Sequence, residues 1–112
     1  MLSFLTSCSQ TNCDKLPTSF ISFAEAVKQI QNAHFNFKDE VNTSKSSWIE
    51  GAKYFSCDNK TGYFILITDK HDYLYQNLPI GIWTAFKNAS SFGHYYVVNI
   101  KHRYQLQLLS EK

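Results

Sequence analysis

The chain has 112 residues, of which 44% are hydrophobic and 16% aromatic. This length suits a single domain, and the apolar content excludes a disordered chain. Eleven basic residues against nine acidic ones give a net charge of +2, which excludes the strongly basic class of duplex-binding proteins, and the absence of a run of eighteen apolar residues excludes a membrane-spanning helix.

The N-terminus carries a candidate lipidation site at Cys8. The sequence Leu5-Thr6-Ser7-Cys8 has the form of a bacterial lipobox, in which the cysteine thiol receives a lipid group. The apolar run before it, residues 1–5, is shorter than a signal-peptide core of about 7–15 residues and has no basic residues in front of it. Two alternatives stay open: a cell-envelope lipoprotein whose signal sequence is truncated here, or a cytoplasmic protein that begins at Met1.

The pairing of the three cysteines depends on the compartment. Cys8, Cys13 and Cys57 match no zinc spacing, and their odd number argues against a closed set of disulfides. If Cys8 is lipidated after export, Cys13 and Cys57 can pair in an oxidising environment. In a cytosol we expect three free thiols.

The N-terminal part of the chain is predicted to contain little structure before one helix. Residues 1–20 are predicted to be a signal or lipobox remnant or a disordered tether, because their second half is polar and contains a proline. Residues 21–45 are predicted to hold an N-terminal helix and a linker. Ser22 and Glu25 form a capping box, and the apolar residues that follow at helical spacing predict a helix over residues 23–33. We expect its apolar stripe to dock on a sheet.

Residues 46–112 are predicted to form the main domain, which begins with three strands. Aromatic and branched residues, separated by turn-forming Asp, Asn and Gly, predict strands over residues 48–55, 63–68 and 73–76. Because the turns between them are short, we expect consecutive strands to pair antiparallel as a meander.

Two helices are predicted after the strands. Pro79 and Gly81 suit a helix entry, and apolar residues at helical spacing follow them. The segment after Ser90 and Ser91 has two interpretations. Residues 95–98 favour a strand by propensity, whereas the serine cap and aromatic residues at fourfold spacing favour a helix, which we prefer. The predicted fold class is α+β: a small antiparallel three-stranded β-meander packed by two or three helices.

Several short motifs follow one another in residues 46–107. They are Ser46-Ser47-Trp48-Ile49, Tyr54, the central Tyr73-Leu74-Tyr75, Pro79, Trp83, Phe86, Ala89-Ser90-Ser91-Phe92-Gly93-His94-Tyr95-Tyr96, Ile100-Lys101 and Tyr104. In this order they resemble the KTSC domain, a family found at the C-terminus of some lysyl-tRNA synthetases and as a stand-alone bacterial protein. The resemblance implies no established catalysis, and the synthetase context makes RNA binding the expected function.

Tyr73 and Tyr75 are the candidate binding residues, since residues two apart on a strand lie on the same face. Their rings would form a ladder on which successive RNA bases stack. Lys70, Lys101 and Arg103 would contact the phosphates if the C-terminal segment folds back beside that strand. The alternative is that the tyrosine pair fills the core beneath a helix.

We expect no enzymatic activity, no cofactor and no metal centre. The acidic residues lie mostly in predicted turns, and His71 beside Asp72 is an isolated pair. A metal site would require His71, His94 and His102 to converge from distant elements. The sequence therefore predicts a non-catalytic binding module that binds RNA or, as the alternative, an envelope lipoprotein domain that binds a protein partner.

Overall fold

The computed structural model describes residues 11–109, so the lipobox and Cys8 lie outside the described residues. The strands are β1 (Thr11–Asn12), β2 (Ala33–His34), β3 (Phe37–Val41), β4 (Ile49–Ser56), β5 (Thr61–Thr68) and β6 (Asp72–Pro79), and the helices are α1 (Phe23–Asn32), α2 (Ile80–Lys87) and α3 (Phe92–Asn99). A single 3-10 turn spans Cys13–Lys15. The predicted α+β fold class is confirmed.

The main sheet contains the predicted meander and one further strand. β4, β5 and β6 pair antiparallel in sequence order, and β3 adds to β4, so the strand order is β3-β4-β5-β6. The sequence pattern missed β3 because three of its five residues, Lys38, Asp39 and Glu40, are charged and have low strand propensity. This strand lies before the predicted boundary at residue 45.

The sheet has a hydrophobic core on each face. Neighbouring residues of a strand point to opposite faces, so Phe64 joins one core and Ile65 joins the other. Helices α2 and α3 cover the first face, and α1 docks on the second, as its apolar stripe predicts. The first core contains Ile49, Ala52, Tyr54, Phe64, Leu66, Tyr75, Leu78, Trp83, Phe86, Phe92, Tyr96 and Ile100, and the second contains Phe20, Ala26, Ile30, Ala33, Phe35, Phe55, Ile65 and Leu74.

Both predicted serine caps begin helices. Ser22 Oγ accepts a hydrogen bond from the Glu25 backbone N–H at 3.1 Å, and α1 follows. Ser91 Oγ accepts one from the His94 N–H at 3.2 Å, so residues 92–99 form a helix and not the alternative strand. Each cap satisfies a backbone donor that has no partner within its helix.

Asp39 connects the outer strand β3 to helix α2. Trp83 Nε1 donates to Asp39 Oδ2 at 3.0 Å, and Lys87 Nζ forms a salt bridge with the same oxygen at 2.6 Å. Burial alone would raise the pKa of the Asp39 carboxyl, but the hydrogen bonds from Lys87, Trp83 and the Glu40 N–H outweigh it and lower that pKa.

The segment 11–20 is held on the domain, which corrects the prediction of a disordered tether for this stretch. Cys13 forms a disulfide with Cys57. Phe20 is only 1% exposed, and its backbone N–H donates to the carbonyl of Gln107 at 2.9 Å. Ordering this segment costs conformational entropy, and its polar side chains bury little apolar surface to offset that cost. Burial of the Phe20 side chain supplies the offset.

Candidate binding cleft

A cleft of about 280 Å³ lies between strand β6 and helix α3. Its lining residues come from three parts of the chain: the residue before β4, strand β6, and α3 with the segment after it. They are Trp48, Tyr73, Tyr75, Tyr96, Val97, Lys101, His102 and Gln105. The cleft thus brings together three of the predicted site residues, Tyr73, Tyr75 and Lys101.

The C-terminal segment folds back beside β6, which was the condition for the predicted site. Ile100 is the C-cap of α3, and His102 and Tyr104 then adopt positive φ angles of 67° and 52° that turn the chain. The Gln76 N–H donates to the Tyr104 carbonyl at 2.8 Å, and Gln105 bridges to Tyr75 in antiparallel fashion. Lys101 is thereby placed at the rim of the cleft.

Tyr75 forms part of the cleft floor and belongs to the core. Its side chain is 8% exposed, and that of Tyr96 is 4% exposed. The two hydroxyls are hydrogen-bonded to each other, and the rings meet edge to face with centroids 5.9 Å apart. Burial raises the pKa of both tyrosines. The Tyr75 ring is also packed against Phe64, so no base can stack on it. Of the two rings that were predicted to stack on RNA bases, only that of Tyr73 is accessible.

Tyr73 and Trp48 form the exposed aromatic walls. Tyr73 is 38% exposed and contacts His71 edge to face, and Trp48 is 37% exposed and contacts Tyr96 in the same way, with ring centroids 6.1 Å apart. Gly93 leaves room for the indole, since a Cβ on it would lie 2.8 Å from Trp48 Nε1. Sequence reasoning did not count Trp48 as a site residue, although it belongs to the motif series of the KTSC resemblance.

Only one of the three predicted cations lies at the cleft. Lys101 lines it, and His102 joins it as a residue that was not predicted. Lys70 lies in the turn between β5 and β6, and Arg103 reaches back so that its Nη2 donates to the Val98 carbonyl at 3.4 Å. Neither of these two lines the cleft. The lining contains no acidic residue, and its one permanently charged side chain is that of Lys101.

A second and larger crevice, of about 750 Å³, lies next to the disulfide. Several of its polar groups are already committed to the fold. Asp58 accepts hydrogen bonds from the backbone N–H groups of Thr61 and Lys60, which lower its pKa, and Asn36 Nδ2 donates to the Cys57 carbonyl. This crevice is therefore shaped chiefly by turn structure.

Within residues 11–109, no three His, Cys, Asp or Glu side chains gather as a group able to hold a metal ion. None of the helices in this range is long and apolar enough to cross a membrane. Comparisons of the chain with protein-family models, with curated proteins and with solved structures find no match. The resemblance to the KTSC domain stays a prediction.

Proposed function

We propose that this protein is a non-catalytic binding module, similar to the KTSC domain, that works in an oxidising compartment such as the cell envelope and binds a segment of a protein partner. The observation that carries this proposal is the cleft between β6 and α3, where Trp48 and Tyr73 are each more than one-third exposed. Such rings are common anchors of protein interfaces, because they bury a large apolar area at a small cost in side-chain entropy.

The surface next to the cleft is also apolar. Val97 is 53% exposed and lines the cleft itself. Together with Trp48 and Tyr73 it forms an apolar patch beside the basic Lys101. A contiguous exposed patch of this kind is typical of an interaction site on a soluble domain. The matching partner segment carries an apolar or aromatic side chain next to a carboxylate, which would meet Lys101 and His102.

The Cys13–Cys57 disulfide supports the protein partner over RNA. Disulfides persist in secreted and envelope compartments and are rare in a cytosol, where thiols are kept reduced. An exported protein does not encounter cellular RNA. Lipidation of Cys8 would hold the module at the membrane surface, and the disulfide would fasten the chain that follows it to the sheet.

RNA binding is the second candidate, and the exposed Tyr73 ring beside Lys101 favours it. A single base could stack on Tyr73, with its phosphate near Lys101. This version needs only one exposed ring, since Tyr75 is buried. It requires a cytoplasmic protein with free thiols.

The test uses Trp48 as a reporter, since the other tryptophan, Trp83, is 1% exposed and shielded. A peptide selected from a displayed random library on the oxidised protein, and a single-stranded oligouridine RNA, are titrated while acrylamide quenching of tryptophan fluorescence is followed. We expect the peptide to protect Trp48, with affinity reduced at least about tenfold in Tyr73→Ala.

Lys101→Gln should weaken the same peptide, whereas Lys28→Gln, on α1 at the opposite face of the sheet, serves as the matched control and should change nothing. If only the RNA protects Trp48, and more weakly at high salt, the second candidate replaces the first. If no peptide is selected and the RNA does not bind, the cleft is not a binding site.

A further inference from the structure

Strand β3 is the open edge of the main sheet. It pairs with β4 on one side, and no strand among residues 11–109 pairs with its other side. The opposite edge, at β6, is covered by the C-terminal segment through the bond from the Gln76 N–H to the Tyr104 carbonyl. Lys38 and Glu40 of β3 are exposed, so the edge is accessible. An accessible edge strand can pair with another strand.

The backbone orientation of β3 identifies which residues would make that pairing. The Glu40 N–H donates to the side chain of its own neighbour, Asp39 Oδ1, at 2.9 Å. Since successive backbone groups of a strand alternate between its two edges, the N–H and C=O groups of Glu40 and Lys38 point away from β4. A partner strand would therefore form its hydrogen bonds with Lys38 and Glu40, and the Glu40 N–H would exchange its bond to Asp39 Oδ1 for one to the partner strand.

The charges of β3 are complementary to those of a second copy of the same strand. In three antiparallel registers, the residues whose backbone groups point away from β4 lie opposite each other. One puts Lys38 opposite Lys38, another puts Glu40 opposite Glu40, and the register centred on Asp39 puts each Lys38 opposite Glu40 of the other copy. Only the last is attractive at positions 38 and 40, and it also pairs all five residues of β3. It places the two Asp39 side chains opposite each other on the other face, where the salt bridge of each to its own Lys87 offsets their repulsion.

We propose that this chain forms a two-fold symmetric dimer in which β3 pairs antiparallel with β3 of a second copy, centred on Asp39. Two pairs of backbone hydrogen bonds and two Lys38–Glu40 ion pairs hold the strands. On the other face, Phe37 lies opposite Val41 of the second copy, and both are half-buried residues that pack against the first core. The two Asp39 carboxylates meet at the axis, each already paired with its own Lys87.

Charge reversal tests the register directly. The full chain is used with the disulfide oxidised and with Cys8→Ser, so that no covalent dimer forms through the third cysteine. Sedimentation velocity over a concentration series should show a monomer–dimer equilibrium that weakens at high salt. Lys38→Glu alone and Glu40→Lys alone each create two like-charge pairs, and each should weaken dimerisation at least about tenfold.

Mixing the two single variants should restore association. At positions 38 and 40, one strand then carries two negative side chains and the other carries two positive ones, so both ion pairs are attractive again. The combined variant Lys38→Glu with Glu40→Lys should also dimerise. Lys28→Glu, on α1, is the matched control and should leave the equilibrium unchanged; circular dichroism verifies that every variant is folded. A wild type that is monomeric at every concentration overturns the proposal, as do single variants that dimerise like wild type or a mixture that stays monomeric.

Discussion

Reduction of the Cys13–Cys57 disulfide should lower the free energy of unfolding by about 4 kcal/mol. The two cysteines are 44 residues apart, and the chain-entropy relation assigns about that value to a loop of this length at 25 °C. Since small domains have total stabilities of about 5–15 kcal/mol, the cross-link would supply a large share of the total. The closed loop contains α1 and β3, so the unfolded chain gains most of its freedom there when the bond is broken.

The measurement is urea unfolding with and without a thiol reductant, followed by far-ultraviolet circular dichroism. The midpoint should fall on reduction, and the dependence on urea should steepen because the reduced unfolded chain exposes more surface. The double variant Cys13→Ala with Cys57→Ala should match the reduced wild type and should not respond to reductant. Peptide mapping by mass spectrometry verifies that Cys13 and Cys57 are joined in the oxidised protein.

A loss smaller than about 1 kcal/mol on reduction would refute this reasoning, since the buried Phe20 and its backbone hydrogen bonds would then hold the N-terminal segment without the cross-link. Failure of Cys13 and Cys57 to join in an oxidising buffer would also remove the support that the disulfide gives to an envelope location. The two results are separate, because the first concerns energy and the second concerns whether the bond forms.

Five further substitutions test the packing and the contacts of Asp39. Gly62→Ala should destabilise the fold by about 3 kcal/mol or more in urea unfolding, because a Cβ would lie 2.3 Å from a backbone carbonyl oxygen of β4, whereas Gly81→Ala meets nothing within 4 Å and should stabilise by up to about 1 kcal/mol. Tyr75→Phe and Tyr96→Phe should each cost about 1–3 kcal/mol and the double variant less than their sum, since each single change leaves a buried hydroxyl without its partner; additive losses in the same assay would contradict this coupling. Asp39→Asn should cost about 1 kcal/mol at neutral pH. Because the folded state lowers the pKa of Asp39 below 3.8, that difference should be full above about pH 5 and disappear as the pH falls through the folded pKa; a difference that persists in acid would contradict the assignment.

Much of the fold could be predicted from local signals. The caps at Ser22 and Ser91 and the apolar spacing behind them predicted α1 and α3, because a cap and a helical stripe are properties of a few neighbouring residues. Strand β5 was predicted for a similar reason, as it is a run of aromatic and branched residues. β3 escaped prediction because its charged sequence forms a strand only where β4 offers a paired edge and α2 supplies Trp83 to Asp39.

The cleft could be predicted only in part. The sequence singled out Tyr73, Tyr75 and Lys101 as candidates, and all three line it. Alternation along the strand places Tyr73 and Tyr75 on one face, yet it does not say how far along β6 the helix α3 extends. Helix α3 packs over Tyr75 through Tyr96 but leaves Tyr73 uncovered, so Tyr75 is buried and Tyr73 is exposed.

The sequence by itself determined the three helices, the three-stranded meander and the presence of three cysteines, since these follow from propensity, capping and composition over short stretches. Only the tertiary structure decided that Cys13 meets Cys57, that Trp48 joins the cleft and that β3 is left as the open edge. These are contacts between residues far apart in the chain. Their formation depends on how the two faces of the sheet are covered, and local sequence patterns carry no record of that arrangement.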